Sequence, residues 1–331
     1  MEETYGVRFP NGESIEYIFD PSTGKASLVT MHYGKVVSGE TIERDGITYK
    51  AAEPGFIIRN GIIKSASGLG KLVSTDVLLS QIEAFYAKYF FFTIPEQRMF
   101  LAQYSLYTWQ ADIFGTCFYV DIDGYAGSGK TRLSELLGLI VYRPIFAEGG
   151  HSERRVMKAV DKYKATVIFD DVINPEIDQE YLKVLNLGAT RSNWLFKVVQ
   201  KIFGNRKTYE SKAFSVFGPK IILSRRFKLG GSVQTRSVIL NLNPVKMIDL
   251  QRAEIPFILP PEAHKEAQEI RNNILTWRIW HPVSLNGELS PLNVGNERIG
   301  YFGAMVAASL GESVFGRVFH VFKYIAKAGG K

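Results

Sequence analysis

The stretch Gly124-Tyr125-Ala126-Gly127-Ser128-Gly129-Lys130-Thr131 decides the reading of this chain. It fits G-x-x-x-x-G-K-[ST], a loop whose backbone N–H groups line a nest for a triphosphate. In that loop Lys130 reaches the outer phosphates and the Thr131 hydroxyl holds Mg²⁺. The flanks agree with the motif. Upstream, Cys117-Phe-Tyr-Val-Asp-Ile122 reads as a strand buried on both faces. Downstream, Leu133, Leu136, Leu137 and Ile140 recur at i, i+3, i+4 and i+7, so the loop hands over to a helix whose positive end faces the phosphates.

The chain has 331 residues, enough for one large or two ordinary domains, and its 46% hydrophobic content supplies a packed core. The N-terminus shows no charged, apolar and cleavable succession, and the longest uncharged apolar run, Phe302 to Leu310, is too short to span a membrane. A cytoplasmic protein with no membrane partner is expected. The single cysteine, Cys117, suits a small buried hydrophobe, and no Cys/His pair has the spacing of a zinc site. Net charge is +7, but it is concentrated. From Arg191 to Arg236 eleven Lys or Arg face one acid, Glu210, a net +10, so the rest of the chain carries −3. A polyanion is the natural partner of such a segment.

Along the chain, Asn11-Gly12, Thr23-Gly24, Asp45-Gly46 and Asn60-Gly61 punctuate the first 67 residues as hairpin turns, predicting a small antiparallel β module. A docking role and a nucleic-acid-binding role both fit it. Leu78, Leu79, Ile82, Phe85, Tyr86 and Tyr89 mark an amphipathic helix, and Thr93-Ile-Pro-Glu96 reads as a capping box opening a second, which runs to about Ile113. The aromatics from Tyr86 to Trp109 suit a core, with base stacking as the alternative. From Gly115 to Pro244 strands and helices alternate, as a parallel sheet requires. A short strand, Pro144 to Ala147, precedes a helix capped by Ser152 with Val156, Met157 and Val160 inward.

The run Ala165-Thr-Val-Ile-Phe-Asp170-Asp171 then ends an apolar strand in two carboxylates, in the form of a Walker B motif. Asp170 would bind Mg²⁺ and Asp171 would polarise the attacking water. A helix from about Pro175 to Leu187 leads to a hairpin with the basic tip Gly204-Asn205-Arg206-Lys207. Arg206 and Lys207 there either touch nucleic-acid phosphate or decorate a solvated turn. The strand Lys220 to Ser224 precedes Arg225-Arg226, and the strand Ser237 to Leu242 starts behind Arg236. Three helical pieces follow, around Pro261 to Trp280, Asn296 to Ser309 and Ser313 to Lys327. In the first, Arg271 and Arg278 lie seven apart on one face, reaching either nucleotide or surface salt bridges.

This order of motifs resembles the AAA+ ATPases. From about Phe114 to Asn243 it is similar to the helicase modules of phage and plasmid primase-helicases, close to superfamily 3. The local matches are Phe146-Ala-Glu-Gly-Gly-His-Ser152, Ile168-Phe-Asp-Asp171, Phe217-Gly-Pro-Lys-Ile-Ile-Leu-Ser224 and Gln234-Thr-Arg-Ser-Val-Ile-Leu-Asn241. The resemblance implies that Ser224 is the first sensor, where the family usually has Asn. It also implies that Arg236 is an arginine finger entering a neighbouring subunit's site, with Arg225 and Arg226 as runners-up, and that the basic hairpin is a central-channel DNA loop.

The expected fold is therefore α/β: a P-loop NTPase (AAA+-like) parallel sheet core with an N-terminal antiparallel β module and a C-terminal helical tail. The expected divisions are a β module at 1–70, a helical collar at 71–113, the ATPase core at 114–245 and a lid and tail at 246–331. ATP with Mg²⁺ is the expected ligand pair, since the guanine-reading Asn-Lys-x-Asp motif is missing. The expected function is a DNA-acting ring motor, a replicative helicase of a mobile element or virus. A protein remodeller or loader, and a DNA packaging or partitioning ATPase, are the alternatives.

Overall fold

The computed structural model describes residues 1–147, 153–170, 179–203, 206–224, 230–285 and 287–328, with side chains described except at 179, 200–203 and 206–207. The expected cap Ser152, the acid Asp171, the hairpin tip Gly204-Asn205 and the pair Arg225-Arg226 lie outside the described residues, and the side chains of Arg206 and Lys207 are likewise outside them.

Five largely apolar strands form the centre: Tyr119–Gly124, which carries two acids, Pro144–Ala147, Thr166–Asp170, Lys220–Ser224 and Ser237–Leu242. Such sequences fit strands covered on both faces, and all four pairings are parallel. Across the sheet the order is Ser237–Leu242, Tyr119–Gly124, Lys220–Ser224, Thr166–Asp170, Pro144–Ala147. One strand thus separates the P-loop strand from the acid-tipped strand. The chain is an α/β protein built on a five-stranded parallel sheet, with antiparallel sheets at its N-terminus and helices at its C-terminus.

Side chains alternate across each strand, so the two sheet faces have separate cores. Val120, Ile122, Ile168 and Leu223 face the P-loop helix Lys130–Ile140. Beyond it, helices Thr75–Tyr89, Pro95–Thr108, Pro261–Trp280, Glu297–Leu310 and Phe315–Ala328 share that core, so the collar and tail segments form one layer. Tyr119, Val167, Phe169 and Ile222 face helices Glu153–Tyr163 and Gln179–Leu187. The aromatics Tyr86, Phe100, Tyr104, Tyr107 and Trp109 are buried, as a core role requires.

Two local expectations are corrected. Helix Pro95–Thr108 has Ile94 as its N-cap with no side-chain cap, because Pro95 itself starts the helix with a preset φ; there is no capping box. That helix ends at Thr108, and a separate turn of 3₁₀ helix covers Ala111–Ile113.

The N-terminal module comprises two sheets. Gly6–Arg8, Ser14–Asp20, Lys25–His32 and Lys35–Gly39 form an antiparallel meander, while Ile47–Ala51 pairs antiparallel with Thr41–Arg44 and parallel with Glu2–Thr4. Asn11-Gly12, Thr23-Gly24 and Asp45-Gly46 join antiparallel neighbours as expected, but Asn60-Gly61 follows the short helix Phe56–Arg59 instead of turning a hairpin. The remaining hairpin turns at Tyr33-Gly34, where φ is +48° and +74°. Ile15, Tyr17 and Leu28 of the module share a core with Ile145, Tyr163 and Ala165, so the module packs against the edge of the central sheet.

A buried ion cluster secures this junction. Arg278 is 2% exposed; its Nε donates to Glu16 Oε1 at 2.6 Å and its Nη1 to Asp112 Oδ1 at 3.1 Å. Arg143 Nη2 lies 3.4 Å from Glu16 Oε2. Arg271, also buried, donates to the carbonyl of Leu139 and to Gln268 Oε1. The surface salt-bridge reading of Arg271 and Arg278 is therefore wrong: their helix face is turned inward, against the N-terminal module and the P-loop helix.

Candidate nucleotide site

The P-loop strand ends at Gly124, and the chain turns through Tyr125 to Gly129 before entering its helix at Lys130. Gly127 and Gly129 have φ of +81° and +84°, a region in which residues with a Cβ are strained. At Gly124 the need is space: an added Cβ would stand 2.5 Å from Ser128 Oγ and 3.2 Å from the carbonyl of Leu242. Lys130 is buried and its ammonium lies within the loop, donating to the carbonyls of Gly124 and, at 3.0 Å, Tyr125. Ser128 Oγ is buried without a hydrogen-bond partner. Backbone N–H groups around a left-handed glycine, a hydroxyl in want of a partner and a captive ammonium are the donor set a polyphosphate requires. Tyr125, Ala126 and Thr131 are exposed, Thr131 in the first helical turn.

Sheet register brings other candidates to the same edge. Ser224 stands opposite Asp123 on the neighbouring strand, its Oγ 3.5 Å from Asp123 Oδ1, and Asp170 stands one strand further out, opposite Leu223. Ser224 is buried and Asp170 half-buried. Among the described residues no three His, Cys, Asp or Glu side chains gather as a metal cage. Mg²⁺ bound with a nucleotide does not need one, because phosphates and water complete its octahedron around one or two protein oxygens. The residues fit that mode.

Arg236 lies at the other end of the sheet. Its carbonyl accepts from the N–H of Tyr119 at 2.8 Å, and its Nη1 donates to the carbonyl of Asn186 at 2.6 Å. Tyr119 and Gly124 bracket the P-loop strand, which puts roughly 17 Å between Arg236 and its own P-loop at about 3.3 Å per residue.

Two features of the site were not read from the sequence. A cavity of about 480 Å³ adjoins Gly127–Gly129, walled by Phe90, Phe91, Met247, Leu250, Ile255 and Phe257. Its apolar lining suits a flat base beside the phosphate loop. The second is Asp121, buried on the P-loop strand with Oδ1 lacking a partner; burial pushes its carboxyl up to about 6, Ser224 hydrogen-bonding opposes this, and Asp123 adds to it. Alternating acids in an otherwise apolar strand, Asp121 and Asp123, were the available signal. Cys117 is buried and its thiol is pushed up to about 11 by burial, which suits the expected packing role.

The hairpin of strands Trp194–Phe203 and Arg206–Ser215 pairs in continuous register from Trp194↔Ser215 to Phe203↔Arg206. Leu195 and Phe214 anchor one face in the core, while Trp194, Phe196, Val198 and Tyr209 are exposed on the other. The stem is therefore aromatic as well as basic.

No family model matches this sequence, and no curated protein matches it. Among solved structures, the NrS-1 C-terminal region aligns at 14% identity over 93% of this chain and 72% of its own, with a TM-score of 0.36. The JCV helicase aligns at 14% identity over 76% of this chain and 60% of its own, with a TM-score of 0.33. Such values describe a distant likeness of the backbone and say nothing about chemistry. No helix among the described residues is long and apolar enough to cross a membrane.

Proposed function

We propose that the chain is an ATP-hydrolysing AAA+ motor acting on DNA, a replicative helicase of a mobile element or virus. The observation that carries this reading is the loop itself: Gly127 and Gly129 at positive φ around buried Lys130, with Asp170 and Ser224 at the same sheet edge. In this reading Gly124 to Thr131 wrap the phosphates, Lys130 balances their charge, and Thr131 and Asp170 hold Mg²⁺. Asp171 orients water, and Ser224 stands near the terminal phosphate. Bound Mg²⁺ supplies charge neutralisation between the outer phosphates. The apolar cavity beside Phe90 and Leu250 takes the base.

The position of Arg236 supports assembly into a ring. In this reading Arg236, far from its own phosphates, would act in a neighbour's site after leaving the Asn186 carbonyl. DNA is favoured by the net +10 between Arg191 and Arg236, with Arg206 and Lys207 meeting the phosphates.

The exposed Trp194, Phe196, Val198 and Tyr209 favour a second reading, an AAA+ remodeller that grips protein with an aromatic loop. One experiment separates the two: ATP hydrolysis with and without single-stranded and duplex DNA, next to unwinding of a forked duplex. Stimulation and unwinding are expected. Stimulation without unwinding would favour a packaging or partitioning ATPase, and indifference to DNA would favour the remodeller.

A further inference from the structure

At the end of the sheet opposite the P-loop, a second cavity of about 480 Å³ opens between the N-terminal sheets and the core. Much of its wall precedes sheet strands: Arg143 before Pro144–Ala147, Lys164 before Thr166–Asp170, and Pro219 before Lys220–Ser224. The length of the strands therefore separates it from the nucleotide site.

Five cations line it, Arg8, Arg143, Lys164, Arg191 and Arg278, against three carboxylates, Glu2, Glu16 and Asp112. The two inner acids are already engaged. Glu16 accepts from Arg278 at 2.6 Å and lies 3.4 Å from Arg143, and Asp112 accepts from both terminal nitrogens of Arg278. Glu2 is exposed at the rim. Arg8 is left over: its Nη2 donates to the carbonyl of Val283 at 3.2 Å, but Nε and Nη1 are buried with no hydrogen-bond partner. Burial and the neighbouring Arg278 push Arg8 down to about 10, with Asp112 and Glu16 partly offsetting them. Nearby, the Arg191 guanidinium carbon sits over the Phe217 ring, 4.9 Å from its centroid, while its Nη2 donates to the carbonyl of Asp112, and half-exposed Trp194 adjoins it. The remaining N–H groups of this exposed guanidinium can meet an anion.

We propose that this cavity binds a small phosphate-bearing ligand, with Arg8 and Arg191 receiving the phosphate and Phe217 and Trp194 flanking the group attached to it. Its volume is that of a small-molecule site. Enclosure by the N-terminal sheets, the hairpin base and Arg278 favours a discrete molecule over a nucleic-acid strand, which requires an open groove.

Because the P-loop also binds phosphate, the test uses full-length protein carrying Lys130→Ala, with pyrophosphate and ADP as probes in calorimetric titrations. This background should still bind pyrophosphate, and adding Arg8→Gln or Arg191→Gln should weaken binding at least tenfold without loss of the folded state. Arg191 is exposed, so its variant carries the test if Arg8→Gln does not fold. Absence of binding to the Lys130→Ala protein, or binding indifferent to both arginines, would overturn the proposal. So would displacement of pyrophosphate by a single-stranded oligonucleotide, which would assign the site to nucleic acid. None of these outcomes bears on ATP hydrolysis at the P-loop, which is read separately in the wild-type protein.

Discussion

Replacing Arg278 with Met should destabilise the protein by about 3 kcal/mol. Arg278 and Glu16 are each 2% exposed and meet at 2.6 Å, so the substitution strands a buried carboxylate. Removing one partner of such a pair typically costs about 3–5 kcal/mol. Two features pull this case to the lower end. Glu16 keeps the Tyr142 hydroxyl at 3.0 Å and Arg143 at 3.4 Å, and the Asp112 side chain is 34% exposed. At about 2 °C per kcal/mol for a chain of this size, the melting temperature should fall by about 6 °C. Urea unfolding followed by tryptophan fluorescence would measure the free energy, with Glu16→Gln and the double variant completing a cycle. The double variant should lose at least about 1 kcal/mol less than the sum of the single losses, since the residues touch. A loss under about 1 kcal/mol for Arg278→Met, with an additive cycle, would refute the buried tie between the N-terminal sheets and helix Pro261–Trp280.

Asp121 makes a pH-dependent claim. Its carboxyl is raised to about 6 in the folded state against about 3.9 unfolded, so its ionisation destabilises the fold as pH rises from about 4 to 6. Asp121→Asn should therefore gain on wild type across that window, by at most about 3 kcal/mol, and level off above it; a difference in urea midpoint that stays flat from pH 4 to 8 would contradict this. For the hairpin, Arg206→Ala with Lys207→Ala should weaken nucleic-acid binding irrespective of sequence and flatten log K against log salt by roughly one unit for each phosphate no longer neutralised, with basal ATP hydrolysis retained. An unchanged slope would make the tip a solvated turn. Arg236→Ala should bind ATP yet hydrolyse it poorly, and mixing it with Asp170→Ala should restore part of the activity through interfaces that pair an intact acid with an intact arginine. A finger is worth about 10³–10⁵ in rate. Normal hydrolysis by the single variant would remove Arg236 from the mechanism.

The sheet was legible because parallel strands buried on both faces read as apolar runs, and the P-loop because its glycines and Lys130 are fixed by the loop's geometry. Pro144 to Ala147, Lys220 to Ser224 and Ser237 to Leu242 form strands with the bounds their apolar runs predict. The N-terminal turns were legible where Gly12, Gly24 and Gly46 supply positive φ, and missed at Tyr33, an aromatic residue held at φ +48°. Long-range partnerships were beyond reach. Arg278 looks like a surface cation until Glu16, 262 positions away, is seen beside it. The cavity beside the phosphate loop joins residues 89–91 to residues 245–257, two segments whose apolar residues read locally as core or linker. Asp121 was signalled only by its alternation with Asp123 in an otherwise apolar strand, a pattern that marks an acid without saying how deeply it is buried.

ATP hydrolysis at the P-loop is tested most directly by steady-state rates at saturating Mg²⁺ for wild type, Lys130→Ala and Asp170→Ala, with folding checked by circular dichroism. Hydrolysis by the wild type and its near-complete loss in both folded variants are expected. Near wild-type rates in either variant would contradict the assigned site.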